Sequence, residues 1–583
     1  MAYLSYNGST NNGGGNHMIL VLAMFLLIFI GMSFLAPKPP QESEKNETTN
    51  QLTDTTLQQA QNAPAITVQH KIETRTLEAG QISVEMTNAG GGRIQSVKIN
   101  DPDRYGPYQK DDETFFDGNF IRSQKSPSES IGGILPLEVT LPSFGITPET
   151  QFAVASGSED HKEIKFSYSD PTDKFILNKV FTTTDKPYVI HAKFDMTNLS
   201  PQVVSDVMGI SFYIKQIKEE EPGIFTPGSY VAAKCYSKGD MEYVNATDKN
   251  ESESYSTDLK WFGVDESYFA MAMTADKAKE CKISNNEGTV QSMIQIPVVL
   301  ESGQSTSYEF DIYLGPKESR YLDNFGEDRN LKAIIDYGWM EVLARPMAWI
   351  LDKFHDLTGN WGIAIIILTI IVRILLWPIA QKSQFSMMRM SKLAPMMQEL
   401  QEKYKDDPQT LAQKQMEMYQ KYKISPFGCL PLLLQMPIFF ALYRCIFVTG
   451  GLYHAEFFGW IHDLSARDPY FILPIFSVLL LVGQQLLTPS AAKNTQQKVM
   501  MIAMPIMFGG MMLFLPSGLC VYMVVSSVFS MVQSFYVRRK IAAEDAKNPI
   551  LAGANGTGDV IDVENLSSKE KRAEKRRTDR DKK

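Results

Sequence analysis

The stretch Ile363–Ala380, IAIIILTIIVRILLWPIA, decides the fold. It has the length and apolarity of a helix that crosses a bilayer, yet Arg373 lies well inside it. An arginine near the bilayer centre costs about 2.5–3.5 kcal/mol on insertion scales. Outward from this segment, residues 362–380, 428–448, 471–487, 499–515 and 519–537 form five apolar runs. Trp361 and Trp377 bracket the first at interfacial positions, and Pro516-Ser517-Gly518 joins the last two in a tight hairpin. None of the five contains Asp or Glu, and the other charge in them, Arg444, is placed to snorkel at the outer end. Arg373 must therefore face water, backbone oxygens or uncharged polar groups, with Thr369, Gln435 and Tyr522 as the nearby candidates. Such an arginine implies a hydrated cavity inside the bilayer; the alternative is a structural residue satisfied by carbonyls.

The 583 residues carry a net charge of −9, but Lys569–Lys583 holds nine Lys/Arg against four Asp/Glu. Met18–Ala36 is one more uncharged run of spanning length, read as an uncleaved anchor. A cleaved signal peptide is its rival, weakened by a 1–17 segment with no Lys or Arg. Residues 37–64, rich in Pro, Gln, Thr, Asn and Glu, read as a flexible tether. Residues 65–325 then alternate with period two. Tyr188, Ile190, Ala192, Phe194 and Met196 share one face, as do Ile164, Phe166 and Tyr168, and Tyr308, Phe310, Ile312 and Leu314. Turn clusters such as NAGGG and TTDKP separate the runs, so this is one antiparallel β-sandwich domain. Its two cysteines, Cys235 and Cys281, can pair only in an oxidising compartment and only if the fold brings them together. Residues 331–356 have the periodicity of an amphipathic helix, which Pro346 should break or kink. It lies in the membrane interface or packs on the β domain; periodicity does not separate the two.

Basic residues set the orientation. Residues 381–423 carry eight Lys/Arg, whereas 449–470 carry Arg467 alone. This places 381–425, 488–498 and 538–583 in the cytoplasm, the β domain and 449–470 outside, and both termini inside, for six spans in all. The 381–425 segment reads as two antiparallel helices, the second capped by Asp407 and started by Pro408. It holds Met387, Met388, Met390, Met396, Met397, Met416 and Met418. These pack the hairpin together or offer an adaptable partner surface.

The ordered motifs NWGIAIIILTIIVRILLWPIAQKSQFSMMRMSKLAPMMQEL, SPFGCLPLLLQMPIFFALY, FGWIHDLSARDPYFILPI, QQKVMMIAMPIM and FLPSGLCVYMVVS resemble the YidC/Oxa1/Alb3 family of membrane-protein insertases over residues 331–540. The anchor and β domain resemble its Gram-negative form, with a periplasmic β-sandwich. The resemblance implies a polytopic α-helical protein of the bacterial inner membrane, with a five-helix core and a hydrophilic groove open to cytoplasm and lipid but closed outside. It assigns Arg373, Thr369 and Gln435 to that groove, with Tyr522 and its neighbour Met523. The family often has an aromatic residue at the position of Met523 and an uncharged one at that of Arg444. The implied greasy slide for a client's apolar segment uses Met436, Phe439, Phe440, Met504, Met507 and Phe508. The implied partners are nascent inner-membrane proteins, the Sec translocon, the lipid bilayer, and the translating ribosome and targeting factors through hairpin and basic tail. A tail of this charge suits RNA phosphates; the alternative is a solvated tail.

Other classes fit less well. There is no H-E-x-x-H motif, no aspartate in the five later spans, and all seven histidines lie outside them. No phosphate-binding loop calls for ATP or another cofactor, and no small-molecule substrate or metal is expected. A transporter should show paired repeats and broken helices, which are not visible here. An envelope-assembly scaffold would tolerate replacement of Arg373.

Overall fold

The computed structural model describes residues 72–100, 108–110, 113–116, 135–155 apart from 149, 161–216 apart from 171 and 173, 231–247, 251–421, 430–487 and 506–547. The anchor at 18–36, the tether at 37–64, the loop at 488–498, the tail beyond 547 and Met504 lie outside the described residues.

Two antiparallel sheets build the β domain. The larger runs, edge to edge, through Asp240–Asn245, Val231–Ser237, Leu259–Glu266, Phe269–Thr274, Ser305–Pro316, Val189–Asn198, Phe175–Thr183, Glu163–Ser169 and Ala153–Ala155. The smaller runs through Ser252–Tyr255, Glu280–Asn286, Thr289–Leu300, Val204–Lys215 and Glu138–Thr140. The alternation predicted from the sequence is what stacks them. Ile190, Ala192, Phe194 and Met196 are fully buried, while His191, Lys193 and Asp195 are half-exposed. Phe194 pairs across strands with Tyr308 on one side and Lys179 on the other. Phe212 of the smaller sheet meets Phe262 of the larger at 5.4 Å, and a Cys235–Cys281 disulfide joins the sheets. The pairing that the sequence left open is thus formed. A third sheet, Thr74–Ala79, Ile82–Thr87 and Arg93–Ile99, closes one end. Beneath it Lys179 is fully buried; its Nζ donates to the Gly91 carbonyl and lies 5.0 Å from the Phe152 ring centre and 5.4 Å from that of Phe194. Burial holds this ammonium's pKa down at about 7.

A buried charge knot ties the domain to the rest of the chain. Asp265 Oδ2 accepts from Lys234 Nζ at 2.8 Å and from Lys317 Nζ at 2.9 Å, with all three side chains buried. Lys234 Nζ also donates to the Ile334 carbonyl at 2.8 Å. The Lys317 backbone continues the junction: its N–H donates to Tyr268 O at 2.7 Å and its carbonyl accepts from Gly450 N at 3.1 Å. A Cβ on Gly450 would lie 2.8 Å from Lys317 N and 2.9 Å from Tyr268 O, so the close approach needs glycine. Tyr453 then packs on Tyr268 and Phe269.

Six helices follow: α1 Glu341–Thr358, α2 Trp361–Lys403, α3 Pro408–Lys421, α4 Leu430–Val448, α5 Ile472–Leu487 and α6 Ser517–Lys547. Residues 506–512 are also helical. The helix expected over 331–356 starts only at Glu341. Leu331–Ile334 and Gly338–Met340 form 3₁₀ turns instead; Gly338, whose φ is +60°, starts the second, and its N–H donates to Asp336 Oδ1. Pro346 is accommodated in the second turn of α1. The buried face of α1, Ala344, Met347, Ala348 and Leu351, packs on α2 and α4 rather than on the β domain. Cys445 Sγ donates to Ala344 O at 3.2 Å, while Val342, Trp349 and Leu357 face outward, 85%, 62% and 77% exposed.

The expected division between span 362–380 and hairpin 381–425 marks no break. α2 is one 43-residue helix, capped by Asn360 Oδ1 accepting from Ile363 N at 3.1 Å. The turn at Asp407 is as the sequence predicts: its carboxylate accepts from Thr410 N at 3.1 Å and from Thr410 Oγ1 at 2.6 Å. α2 and α6 lie along each other as far as Met388, which packs on Val537 and Ile541, and Arg389, which pairs with Glu544 at 2.9 Å.

Candidate intramembrane groove

Among the described residues, two helical segments, Trp361–Met390 and Ser517–Glu544, are long and apolar enough to cross a membrane, with shorter apolar helices at Gln435–Val448 and Ile472–Gln485. On α2 the apolar residues Ile370, Ile374, Leu375 and Ile379 are exposed, as a lipid-facing stripe should be. Arg373 lies between that stripe and the buried seam, half-buried and within electrostatic reach of the Tyr522 hydroxyl on α6. Among the described residues it makes no hydrogen bond or ion pair. Gln435 of α4 completes the setting: its Nε2 donates to the Tyr522 hydroxyl. Three helices thus bring an arginine, an amide and a phenol together.

Thr369 is placed differently from a groove donor. It is fully buried one turn before Arg373, and its Oγ1 donates to the Ile365 carbonyl at 2.6 Å. In an apolar helix that back-bond satisfies the hydroxyl locally. Met523 is buried, and Arg444 Nη2 donates to the Asp336 carbonyl at 2.9 Å, so this second arginine anchors the turns before α1.

The loop before α5 packs on the start of α6. Leu464, Leu515, Leu519 and Cys520 are buried. Ser517 N donates to Ala466 O at 2.6 Å and Gly518 N to Leu464 O at 2.9 Å. Asp468 accepts from Trp460 Nε1 at 3.0 Å and from Leu473 N at 2.7 Å, which fixes the loop over the start of α5. Of the residues assigned to the slide, Met436, Phe440 and Phe508 are half-buried and Met507 is 70% exposed. Phe439 is buried, its ring 6.4 Å from that of Phe508. Of the methionines in the helical pair, Met387, Met390 and Met416 face outward, Met396 and Met397 are half-buried, and Met388 and Met418 are buried.

The sequence from 138 to 350 matches the family described as YidC periplasmic domain, and that from 353 to 544 the family described as 60Kd inner membrane protein. A membrane protein insertase YidC of Geobacter sulfurreducens is 31% identical over 91% of this chain and 99% of its own length. The chain belongs to the YidC family of membrane protein insertases. A relative of the same name from Cupriavidus metallidurans is 30% identical, over 82% of this chain and 85% of its own. A crystal structure of an active YidC insertase with its first transmembrane domain resolved covers 80% of this chain and 95% of its own, at 17% identity and a TM-score of 0.35. YidC is a family of insertases, not of enzymes, and this member combines a membrane part with a periplasmic β domain.

With Tyr522, which the sequence singled out, α6 of this YidC-family chain carries three unexpected residues in a buried polar line: Ser526, Ser530 and Gln533. Their spacing of four, four and three residues puts them on one helix face. Gln533 Nε2 donates to the Trp377 carbonyl of α2 at 3.2 Å. The signal was present in YMVVSSVFSMVQSF, but a run read only for its apolar length hides polar periodicity.

Proposed function

We propose that the chain inserts membrane proteins by drawing a client's short hydrophilic segment into a groove around Arg373, Gln435 and Tyr522 while its apolar segment moves into lipid past Met436, Phe440, Met507 and Phe508. The single observation that carries this reading is a cation without a counter-charge among the described residues, set between lipid-facing apolar residues and a polar pair from two other helices. A carboxylate arriving there meets a strong attraction, because the low local dielectric strengthens it. The loop packed on the start of α6 supports a groove open only toward the other face, since a client entering from there cannot pass through. Thr369 serves this site by positioning α2 and does not touch the client.

The proposal includes the topology that the basic residues call for: six spans in the bacterial inner membrane, both termini in the cytoplasm and the β domain in the periplasm. The outward apolar face of α1 then rests in the outer membrane interface. The pair formed by the end of α2 and α3 is the cytoplasmic capture hairpin, with Met387, Met390 and Met416 toward partners. With the basic tail it meets the ribosome and targeting factors, and the chain acts alone or beside the Sec translocon.

A photo-crosslinking residue at Met436, with a single-span client stalled on ribosomes, tests the groove. The expected result is an adduct that appears once the span has emerged and weakens with Arg373→Met when the client's leading segment is acidic. If Met436 crosslinks only lipid while the β domain captures the client, the groove reading fails and the envelope-scaffold reading replaces it.

A further inference from the structure

In the topology proposed above, α2 and α6 leave the bilayer side by side, and the seam between them carries cations that the groove does not use. Phe385 of α2 lies among them. Arg389 Cζ is 4.6 Å from its ring centre, and Lys540 Nζ of α6 is 5.9 Å from it. The ring is fixed in place, packed on Met388, Val537 and Ile541. Arg389 is held by Glu544 at 2.9 Å. Lys540 and its neighbour Arg539, whose Cζ lies 4.6 Å over the Phe535 ring, are exposed. Neither of these two makes an ion pair or hydrogen bond among the described residues.

Their depth follows from what lies beside them. Trp377 and Tyr536 meet across the same seam, ring centres 6.0 Å apart, and such amphipathic aromatics mark the headgroup level of a membrane. Lys540 follows Tyr536 by one turn, about 6 Å along the axis. A long cationic side chain there reaches the phosphates while its stem stays on apolar surface. On the bilayer side, Val528, Val532 and Phe535 form an exposed apolar stripe. Their spacing of four and three residues continues to Arg539, four residues on, so stripe and cation share one face of α6.

We propose that this seam binds an anionic phospholipid, its phosphate held by Arg539 and Lys540 beside Phe385 and an acyl chain lying on the stripe from Val528 to Phe535. The feature has the two parts of such a lipid in the right order, a charged end at the interface and an apolar face leading inward. Two cations without an acid partner favour a headgroup of net negative charge over a zwitterionic one, whose own ammonium they repel. The cytoplasmic leaflet supplies anionic lipids, and basic pockets between membrane helices on that side hold their headgroups. A nucleic-acid phosphate fits less well, because the cations lie one turn from the aromatic pair and an RNA strand has nothing to place on the apolar stripe. Glu544 sets the strength of the site, since it occupies the third cation, Arg389.

Full-length protein in bilayer nanodiscs provides the test. Lipids brominated on the acyl chain quench nearby tryptophan, and the part of the quenching lost with Trp377→Phe reports the seam. Phosphatidylglycerol and phosphatidylcholine are mixed equally and brominated one at a time. The expected result is stronger quenching of Trp377 by brominated phosphatidylglycerol. Lys540→Gln should cut that preference about fivefold, the weight of one basic residue near an anionic surface, and Arg539→Gln by a similar factor. Arg538→Gln should leave it unchanged, because Arg538, also exposed, lies about 200° round the helix from Lys540. Glu544→Gln, which frees Arg389, should raise it, a gain that a misfolded variant cannot imitate. Equal quenching by the two lipids in the unaltered protein would overturn the proposal. So would equal losses with Arg538→Gln and Lys540→Gln, which mark diffuse surface charge. Loss of the preference on adding stoichiometric RNA duplex would overturn it too, because the cations would then serve a soluble phosphate. None of these readouts depends on which leaflet holds the seam, so a wrong site and a wrong orientation remain distinguishable.

Discussion

Asp265→Asn should be the most damaging single substitution at the junction of the β domain and the membrane helices. Asp265 pairs with two buried ammonium groups, at 2.8 Å and 2.9 Å. Neutralising it removes the carboxylate that bridges two ammonium groups buried beside each other. Breaking a buried pair in this way costs about 3–5 kcal/mol. Lys234→Met is different in kind. It removes one of two cations and leaves Lys317 matched one-to-one with Asp265; the main loss is the donor to the Ile334 carbonyl, about 1–3 kcal/mol. At about 2–4 °C per kcal/mol for a domain of this size, Asp265→Asn should lower the melting temperature by about 6–20 °C. Lys234→Met should lower it by less. The triple replacement Lys234→Met, Asp265→Leu, Lys317→Met should regain most of the loss, because apolar groups of similar volume substitute well for a buried ion cluster. Differential scanning fluorimetry of the detergent-purified protein measures all three; Trp261, buried and stacked on Tyr236 at 5.6 Å, reports from the neighbouring strands. The reasoning is refuted if Asp265→Asn is no worse than Lys234→Met, or if the triple variant is worse than Asp265→Asn.

Lys179 predicts a pH dependence. Its folded pKa, brought from 10.5 to about 7 by burial, means that the unfolded chain binds the extra proton between those values. The β domain should therefore gain stability as pH rises through that window, by about 1.4 kcal/mol per unit. Lys317, also lowered chiefly by burial, adds a slope of the same sign; denaturant titrations from pH 7.5 to 9.5 should show Lys179→Met flattening the rise. The Cys235–Cys281 bridge spans 46 residues, so the Cys235→Ala, Cys281→Ala pair should lose about 4 kcal/mol by loop entropy. Unchanged denaturant midpoints with and without reductant would contradict that. Gly450→Val should leave the sandwich folded but part it from the outer loop, because the new side chain enters the 2.8 Å gap to Lys317 N; spin-label distances from the β domain to α4 should broaden, and a sharp unchanged distance would count against the docking. Arg373→Lys should keep more insertion of an acidic client than Arg373→Met, since charge rather than fork geometry attracts the carboxylate; equal rates in reconstituted vesicles would argue for a structural arginine.

Much of this was legible in the sequence where one physical period rules. The alternation at Tyr188–Met196 placed its apolar residues in the core because one face of a strand has nowhere else to go. The Asp407-Pro408 pair marked a helix start because capping and a fixed φ are local effects. The meeting of Arg373, Gln435 and Tyr522 was legible through the motifs of the resemblance, since residues on three different helices have no local signal. Other features escaped for definable reasons. The eight Lys/Arg of 381–423 suggested an end to the first core span, yet hydropathy and charge mark where a membrane ends, not where a helix does. The knot of Lys234, Asp265 and Lys317 brings together three residues whose partners are set by tertiary packing alone. Ser526 and Ser530 were counted into an apolar run, so the polar face of α6 was averaged away.

The unbroken length of α2 has a mechanical consequence. Forty-three helical residues at 1.5 Å each make a rod of about 65 Å, roughly twice the hydrocarbon thickness of a bilayer. Arg373 sits 30 residues before its far end at Lys403, about 45 Å away. A rocking of about 5° pivoting at the arginine therefore sweeps that tip through about 4 Å, close to a full side-chain width, by rod geometry alone. Whatever grips the far half of α2 has leverage on the polar site, and whatever fills the polar site moves the tip in return. On the proposed reading, capture and release are thereby geared to each other through one stiff element.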